Sequence, residues 1–186
     1  MTDNSFLENI QRLQDQYYQK EHKNTFFKKQ QKSNCAQEIA TQINITELLH
    51  RTAFVIPNTN RFWLDYLVFK TYANANNYID IVTYVMSLII STVTKYGSFE
   101  IHINLQTFSI SAADRYKDGV YLFFEECIRL NTTFDQTMTN MYIYHTPSMM
   151  DSIFTFFSPV ASKEIKSKII MIGKKESPAL IERLLV

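Results

Sequence analysis

The sequence predicts an α/β domain with a largely parallel β-sheet. Residues 99–108, FEIHINLQTF, alternate apolar and polar side chains as a half-buried strand does. An apolar helix is predicted from Ile79 to Tyr96 and ends at Gly97, which suits the left-handed conformation that often follows a helix. From there to the last residue, predicted helices alternate with predicted strands, an order that favours parallel strands joined by right-handed crossovers.

The remaining elements are placed by turn residues and by apolar spacing. Two apolar runs in residues 50–72 are separated by Pro57 to Asn60, which predicts a hairpin or two sequential strands. The later part of the chain is predicted to contain a helix from Arg115 to Leu130, a strand in NMYIYHT, a helix from Ser148 to Phe157, a strand in KIIMI and a helix from Ser177 to Leu185 with Pro178 in its first turn.

Residues 1–33 are predicted to form an amphipathic helical arm in front of a single α/β domain, residues 34–186. Ser5 and Glu8 have the spacing of a capping box, and a short helix is expected near CAQEIATQI. The second half of the arm is polar on nearly all sides, so we expect it to be either exposed to solvent or a helix that binds a partner. The candidate docking residues of this N-terminal arm are Phe6, Ile10, Leu13, Tyr17, Phe26 and Phe27.

Composition narrows the classes of partner and compartment. The 186 residues suit one domain, and a net charge of +1 makes neither nucleic acid nor a membrane surface the default partner. Cys35 and Cys127 lack CxxC spacing, which favours a reducing compartment over a disulfide framework or a zinc site. No secretory signal or membrane span is expected, because charged residues interrupt the N-terminus and polar residues interrupt the run from Ile79 to Thr94. With only three glycines, the composition indicates an AT-rich genome, so we expect a cytoplasmic protein or one within a virus particle.

The turns that follow the predicted strands contain none of the common catalytic or nucleotide-binding motifs. GxGxxG and GxxxxGK[ST] are absent, and the turn HTPSMM lacks the glycines of a nucleophile elbow, so Ser148 is interpreted as a helix N-cap. The four histidines show no HExxH pattern, so no metal is expected. We therefore expect a protein that is not an enzyme.

Two polar features of the sequence match no catalytic motif, a polar strand face and a basic cluster. Glu100, His102 and Asn104 form a polar strand face, which the pattern assigns to a sheet edge in preference to a ligand cavity. A basic cluster is either a solvated face or a surface that binds anionic lipid headgroups or partners. At an anionic membrane, each basic residue near the surface contributes about 1 kcal/mol to binding. Its members are Lys163, Lys166, Lys168, Lys174 and Lys175.

The stretch YIYHTPSMMDSIFTFFSPVASKEIKSKIIMIGKKESPALIERLL resembles the CRAL-TRIO domain of retinaldehyde, tocopherol and phosphatidylinositol transfer proteins. It is similar in the order and spacing of a turn proline, a bend, a strand start and a following glycine: Pro147, Ser158 with Pro159, Lys168 with Ile169, and Gly173. FEIHINLQTFSIS and NTNRFWLDYLVF look like earlier strands of the family, so the resemblance covers roughly Ala53 to Leu185. Asn104, Thr107 and His145 stand where the family tends to have Asp, Gly and Asn.

The resemblance implies a sheet with helices on one face and a lipid cavity on the other, covered by a mobile gate helix that begins after Pro147. A side-chain hydrogen bond between Asn104 and His145 is expected to replace the family's Asp and Asn pairing. The cavity candidates are His102, Asn104, His145, Met149, Ile153, Phe154 and Phe157. A bound lipid is the one ligand that the resemblance implies.

The residue patterns and the resemblance together suggest two functions from different classes. The first is a non-catalytic module that binds or transfers a lipid and contacts membranes through the basic cluster. The second is a structural or assembly protein, for example a minor component of a large viral particle, that keeps the fold without a ligand and docks on other subunits through the N-terminal arm. Nucleic acid is disfavoured, because acidic residues are interspersed among the basic residues of the arm.

Overall fold

A five-stranded sheet organises the part of the chain that the computed structural model describes, residues 4–22, 26–130, 133–157, 159–160 and 162–186. The strands follow chain order across the sheet. The first pair is antiparallel and the other three pairs are parallel, so the predicted α/β fold with a mostly parallel sheet is confirmed. The strands are β1 (Ala53–Val55), β2 (Arg61–Asp65), β3 (Phe99–Asn104), β4 (Met138–Tyr144) and β5 (Ile169–Met171).

The helices of the described residues connect and cover these strands. The helices are α1 (Asn4–Glu21), α2 (Lys28–Gln42), α3 (Ile45–Thr52), α4 (Tyr66–Tyr72), α5 (Tyr78–Tyr96), α6 (Ile110–Arg129), α7 (Phe134–Thr137), α8 (Met150–Phe157), α9 (Lys163–Ser167) and α10 (Ser177–Leu185). α5, α8 and α10 lie within two residues of their expected ends, α6 begins five residues before its expected start, and four short helices were not predicted: α3, α4, α7 and α9.

The predicted hairpin is β1 and β2, with Ala53 opposite Leu64. The second apolar run then changes from strand to helix at its midpoint. Asp65 causes the change, because its carboxylate accepts a hydrogen bond from the backbone N–H of Leu67 at 2.8 Å and caps α4. The apolar residues of this run gave no signal of that switch.

β3 is the central strand, with β2 on one side and β4 on the other. The prediction that its polar face marks a sheet edge is therefore wrong. Phe99 and Ile101 of β3 are buried in the main core, and His102 and Asn104 on the opposite face are buried as well. A strand covered on both faces thus carries buried polar groups, which must find hydrogen bonds inside the protein.

The N-terminal residues differ from the predicted arm. One continuous amphipathic helix was expected, whereas α1 and α2 are separate helices, and α2 runs without a break across the expected boundary between residues 33 and 34. Residues 1–3 and 23–25 of the arm lie outside the described residues, and Ser5 is inside α1 and not ahead of it.

The docking residues of the arm are also corrected. Phe6, Ile10 and Leu13 are buried in the same core cluster as the sheet, and Tyr17 packs against that cluster. These apolar side chains pack into the core of their own domain, because burial removes their surface from water. Only Phe26 and Phe27 are exposed, at 91% and 69%.

The two faces of the sheet are covered unequally. The larger face packs against α5 and the helices near it, and against α6 and α8 in an adjoining cluster. The other face holds a small cluster with Trp63 and Tyr144, covered by Ile181, Leu184 and Leu185 of α10. By length and composition α5 is the one described helix that could cross a membrane; here its Ile81, Val85 and Ile89 are core residues.

α8 begins at Met150, two residues after the predicted start. Ser148 lies in the preceding turn, where the N–H of Met150 donates to the carbonyl oxygen of Pro147 at 3.2 Å, so Ser148 does not cap the helix. The bend expected at Ser158 and Pro159 falls partly outside the described residues, which include Pro159 but not Ser158.

Candidate functional site

A cavity of about 300 Å³ lies between the sheet and the helices α5, α6 and α8. Its floor is made of alternate residues on neighbouring strands, because successive side chains of a strand point to opposite faces. These floor residues are Phe62, Leu64, Ile101, Ile103, Met141 and Ile143. All are apolar, so the floor offers no hydrogen-bonding side chain to a ligand.

The roof is formed by α8 together with α5 and α6. α8 contributes Met150, Ile153, Phe154 and Phe157 to the lining. At its end, the hydroxyl of Tyr121 donates to the carbonyl oxygen of Phe156 at 2.7 Å, which ties α8 to α6. α8 therefore covers the cavity on the same face of the sheet as α5 and α6, whereas the resemblance implied a cavity on the face opposite to the helices.

Gly119 of α6 allows a close approach at the cavity wall. A Cβ atom at this position would lie 3.2 Å from Cδ1 of Tyr78, the first residue of α5. Tyr78 and Gly119 both line the cavity. The absence of a side chain at residue 119 therefore decides where the Tyr78 ring sits and how far the cavity extends.

The predicted cavity residues divide between the two faces of the sheet. Ile153, Phe154 and Phe157 line the cavity as predicted. Met149 does not, since its side chain is 55% exposed and the next residue, Met150, lines the cavity in its place. His102, Asn104 and His145 are also absent from the lining, and the polar face of β3 is directed towards α10.

Asn104 is the centre of a buried polar network on that second face. Its side-chain oxygen accepts hydrogen bonds from Nδ1 of His145 at 3.0 Å and from the N–H of Gln106 at 3.1 Å. Its side-chain nitrogen donates to Oδ1 of Asp65 at 3.3 Å. Because the Asn104 oxygen can only accept, Nδ1 of His145 must carry the proton. The expected hydrogen bond between Asn104 and His145 is confirmed.

Burial shifts the pKa of the two ionisable side chains in this network, His145 and Asp65. It lowers the pKa of His145, and the nearby Lys174 ammonium lowers it further. Burial raises the pKa of Asp65 although hydrogen bonds from Leu67 and Asn104 oppose the rise. Both shifts favour the neutral form of the side chain, as expected where water is excluded.

His102 belongs to the same face and makes separate contacts. Its Nδ1 lies 3.0 Å from the hydroxyl oxygen of Tyr144, and its ring stacks on Tyr142 with centroids 4.7 Å apart. Its Nε2 lies 3.5 Å from a carboxylate oxygen of Glu100, which is also 3.4 Å from Nε of Arg61. Burial lowers the pKa of His102. These contacts hold β2, β3 and β4 together beneath α10 and place no polar group in the cavity.

The predicted basic cluster is spread over two places. Lys163 and Lys166 are on α9, which precedes β5, whereas Lys174 and Lys175 follow β5 at its other end. Lys168 is not available to a ligand, because its ammonium lies 3.0 Å from the Glu164 carboxylate and also donates to the carbonyl oxygen of Asp135. The other four lysines are exposed.

A second cavity of about 370 Å³ adjoins the first and was not predicted. α2, the segment after α4 and α6 contribute its walls, so its residues are far apart in the sequence. No motif could have marked it. Within the ranges that the structure describes, no group of three His, Cys, Asp or Glu side chains is arranged to hold a metal ion.

Comparison with known proteins covers the cavity and most of the sheet. The CRAL/TRIO domain family matches residues 63–184, a span that begins in β2, ends in α10 and includes every residue of the cavity roof on α8. No curated protein matches the chain. The family match extends over more than half of the sequence and agrees with the order of strands and helices. The chain belongs to the CRAL/TRIO domain family.

Proposed function

We propose that this protein is a non-catalytic lipid-binding module whose ligand lies in the cavity beneath α8. CRAL/TRIO domains bind lipids in general. The observation that carries the proposal is the cavity itself, about 300 Å³ between the apolar face of a mostly parallel sheet and an apolar helix. Burying an acyl chain there is favourable by roughly 0.8 kcal/mol for each methylene removed from water.

α8 is the proposed gate of this cavity. It is a helix of eight residues that buries Met150 and Ile153 towards the ligand space and leaves Asp151 and Ser152 exposed. A helix this short has little intrinsic stability, so its position depends on the contacts of its apolar face. A lipid could then enter by displacing α8 and could replace those contacts once inside.

The cavity can be tested by filling it from the gate. Ile153→Trp adds a bulky ring at a position that is 1% exposed and lines the cavity. Met149→Trp places the same ring on the turn before α8, where the side chain is exposed. Lipid bound to the purified protein would be measured by native mass spectrometry and by titration with a fluorescent lipid.

We expect wild type and Met149→Trp to bind equally and Ile153→Trp to bind at least about tenfold more weakly, a change of about 1.4 kcal/mol. Circular dichroism would verify that Ile153→Trp is folded, since overpacking a core costs about 1 to 3 kcal/mol. A wild-type protein that carries no lipid and binds none would refute the proposal.

Membrane contact is proposed through α9. Lys163 and Lys166 are exposed on this helix, and Ile165 between them lines the cavity, so a bilayer bound here would lie close to the ligand. Lys163→Glu with Lys166→Glu should weaken binding to anionic vesicles, whereas the same change at Lys174 and Lys175 is the matched control. Equal weakening by both pairs would contradict the choice of α9.

A second candidate function is docking on other protein subunits without a ligand. The exposed Phe26 and Phe27 favour it, because aromatic side chains are enriched at interfaces and two adjacent ones are 91% and 69% exposed. In protein isolated from its native source, Phe26→Ser with Phe27→Ser should then abolish a defined assembly without changing lipid content. A protein that is monomeric before and after the substitution would exclude this function.

A further inference from the structure

The second cavity shares part of its wall with the apolar cavity. Tyr78 of α5 and Tyr116 of α6 line both. Tyr78 donates its hydroxyl hydrogen to the carbonyl oxygen of Arg115 at 3.4 Å, and Tyr116 donates to that of Lys70 at 3.3 Å. The two rings therefore separate an apolar compartment from one with a different lining.

The lining of the second cavity is basic. Lys29, Lys32 and Arg115 contribute three positive charges, against one negative charge from Asp118. Lys29 also pairs with the carboxylate of Asp114 at 2.8 Å, which offsets one of these positive charges. An excess of positive charge in a concave site attracts anions and disfavours cations.

Arg115, which lines this cavity, has one unsatisfied donor. Its Nε is buried and has no hydrogen-bond acceptor among the residues that the structure describes. Buried donors are nearly always paired, and leaving one unpaired is costly, so Arg115 is the residue of this lining that gains most from an acceptor supplied by a ligand.

The position of Arg115 at the boundary is supported by the tyrosines around it. The centre of its guanidinium lies 5.5 Å from the centroid of the Tyr116 ring. Its positive charge opposes the rise that burial causes in the pKa of Tyr66 and Tyr78. Its hydrogen bond with the Tyr116 side chain, together with its charge, opposes the same rise in the pKa of Tyr116. All three tyrosines line the apolar cavity, so Arg115 lies directly behind the wall of that cavity.

We infer that the bound lipid is a single-chain amphiphile with an anionic head group, which reaches Arg115 between Tyr78 and Tyr116 while its chain fills the apolar cavity. This inference rests on the proposed function and adds the class of ligand. The volume of about 300 Å³ is at the lower end of the range for ligand pockets and suits one chain. A carboxylate or a phosphate monoester accepts the forked donors of arginine, with Lys29 and Lys32 close by.

The test compares three ligands with the same chain, hexadecanoate, hexadecyl phosphate and hexadecanol, by displacement of a fluorescent fatty acid. The variants are Arg115→Gln and Arg129→Gln. Arg129 is the matched control, because it is exposed on the same helix, lies about 20 Å further along it and pairs with Glu126 at 2.6 Å.

We expect the wild type to bind at least one of the two anions about tenfold or more tightly than the alcohol, as a charge-assisted hydrogen bond implies. Arg115→Gln should remove that preference and leave hexadecanol binding unchanged, and Arg129→Gln should behave as the wild type does. Whichever anion binds more tightly identifies the head group. If Arg115→Gln does not fold, the wild-type protein alone still tests the inference, because added salt should weaken binding of the two anions and not of the alcohol.

Equal affinity for the alcohol and both anions in the wild type would overturn the inference and leave the lipid-binding proposal intact. Equal loss of all three ligands in a folded Arg115→Gln protein would also overturn it, since Arg115 would then act on the chain and not on the head group. Failure of the wild type to bind any of the three ligands would overturn both proposals.

Discussion

Replacing His145 by alanine removes a hydrogen bond at the carboxyl ends of the two central strands. Nδ1 of His145 lies 3.0 Å from the side-chain oxygen of Asn104, which is 6% exposed. The backbone of His145 is left-handed, with φ of 52°, and its N–H donates to the hydroxyl of Ser177 at 2.7 Å. Only the imidazole contact is lost on substitution, because the backbone hydrogen bond remains.

The expected cost has two parts. A hydrogen bond to a buried amide contributes about 0.5 to 1.5 kcal/mol, and the Asn104 oxygen keeps one donor, the N–H of Gln106. Histidine tolerates the left-handed region better than alanine, which adds a further fraction of about 1 kcal/mol. The free energy of unfolding should therefore fall by about 0.5 to 2.5 kcal/mol, which lowers Tm by about 2 to 4 °C for each kcal/mol in a chain of this size.

Urea denaturation measures this loss. Trp63, the lone tryptophan, is a suitable probe, because its ring lies 6.0 Å from that of Tyr144 on the same face of the sheet. The midpoint should move to lower urea with an unchanged slope. His50→Ala is the control, since His50 is exposed on α3 and its removal should change stability by less than about 0.5 kcal/mol.

A double-mutant cycle with Asn104→Ala decides whether the loss comes from this contact. If the hydrogen bond exists, the two substitutions together should cost less than the sum of their separate costs, by at least about 0.5 kcal/mol. A melting curve unchanged by His145→Ala, or separate costs that simply add, would show that the reasoning is wrong.

Three further measurements test the electrostatics and packing. The lowered pKa of His102 and His145 means that, below the ordinary histidine pKa of about 6.5, the unfolded chain binds protons that the folded chain does not. The free energy of unfolding should therefore fall between about pH 7 and about pH 5.5, and a flat profile over this range would contradict the assignment. The raised pKa of Asp65 acts in the opposite direction, nearer the carboxyl range. Burial raises the pKa of Cys35 to about 11, so a thiol reagent at about pH 8 should modify it only as fast as the protein opens, and immediate reaction would refute its burial. Phe6→Ala should cost about 3 to 5 kcal/mol and Phe26→Ala less than about 0.5 kcal/mol in thermal melts, whereas equal costs would contradict the burial of α1.

Much of the fold could be predicted because it is encoded by local patterns. The alternation in β3 and the apolar run of α5 with its left-handed Gly97, at φ of 76°, are visible in the letters of the sequence. The hydrogen bond between Asn104 and His145 was expected from the family resemblance, which placed both residues at the ends of neighbouring strands.

The site could be predicted only in part, for a geometric reason. Period-two alternation shows that Ile101 and His102 point to opposite faces but not which face carries the cavity. The resemblance made His102 and Asn104 cavity candidates, whereas they face α10. In the same way, the apolar stripe of α1 predicts burial against something, but not that Phe6 and Ile10 pack into their own domain.

By itself the sequence determined the order of strands and helices, the apolar character of α8 and the polar pair at the ends of β3 and β4. Each is a property of neighbouring residues, through periodicity, turn chemistry or chain order. Only the tertiary structure decided that the cavity lies on the face opposite to that pair, and that Arg115 of α6 meets Tyr78 of α5 and the basic residues of α2. These are contacts between residues far apart in the chain, and they arise when packing, which no local pattern specifies, chooses one face and one neighbour for each helix.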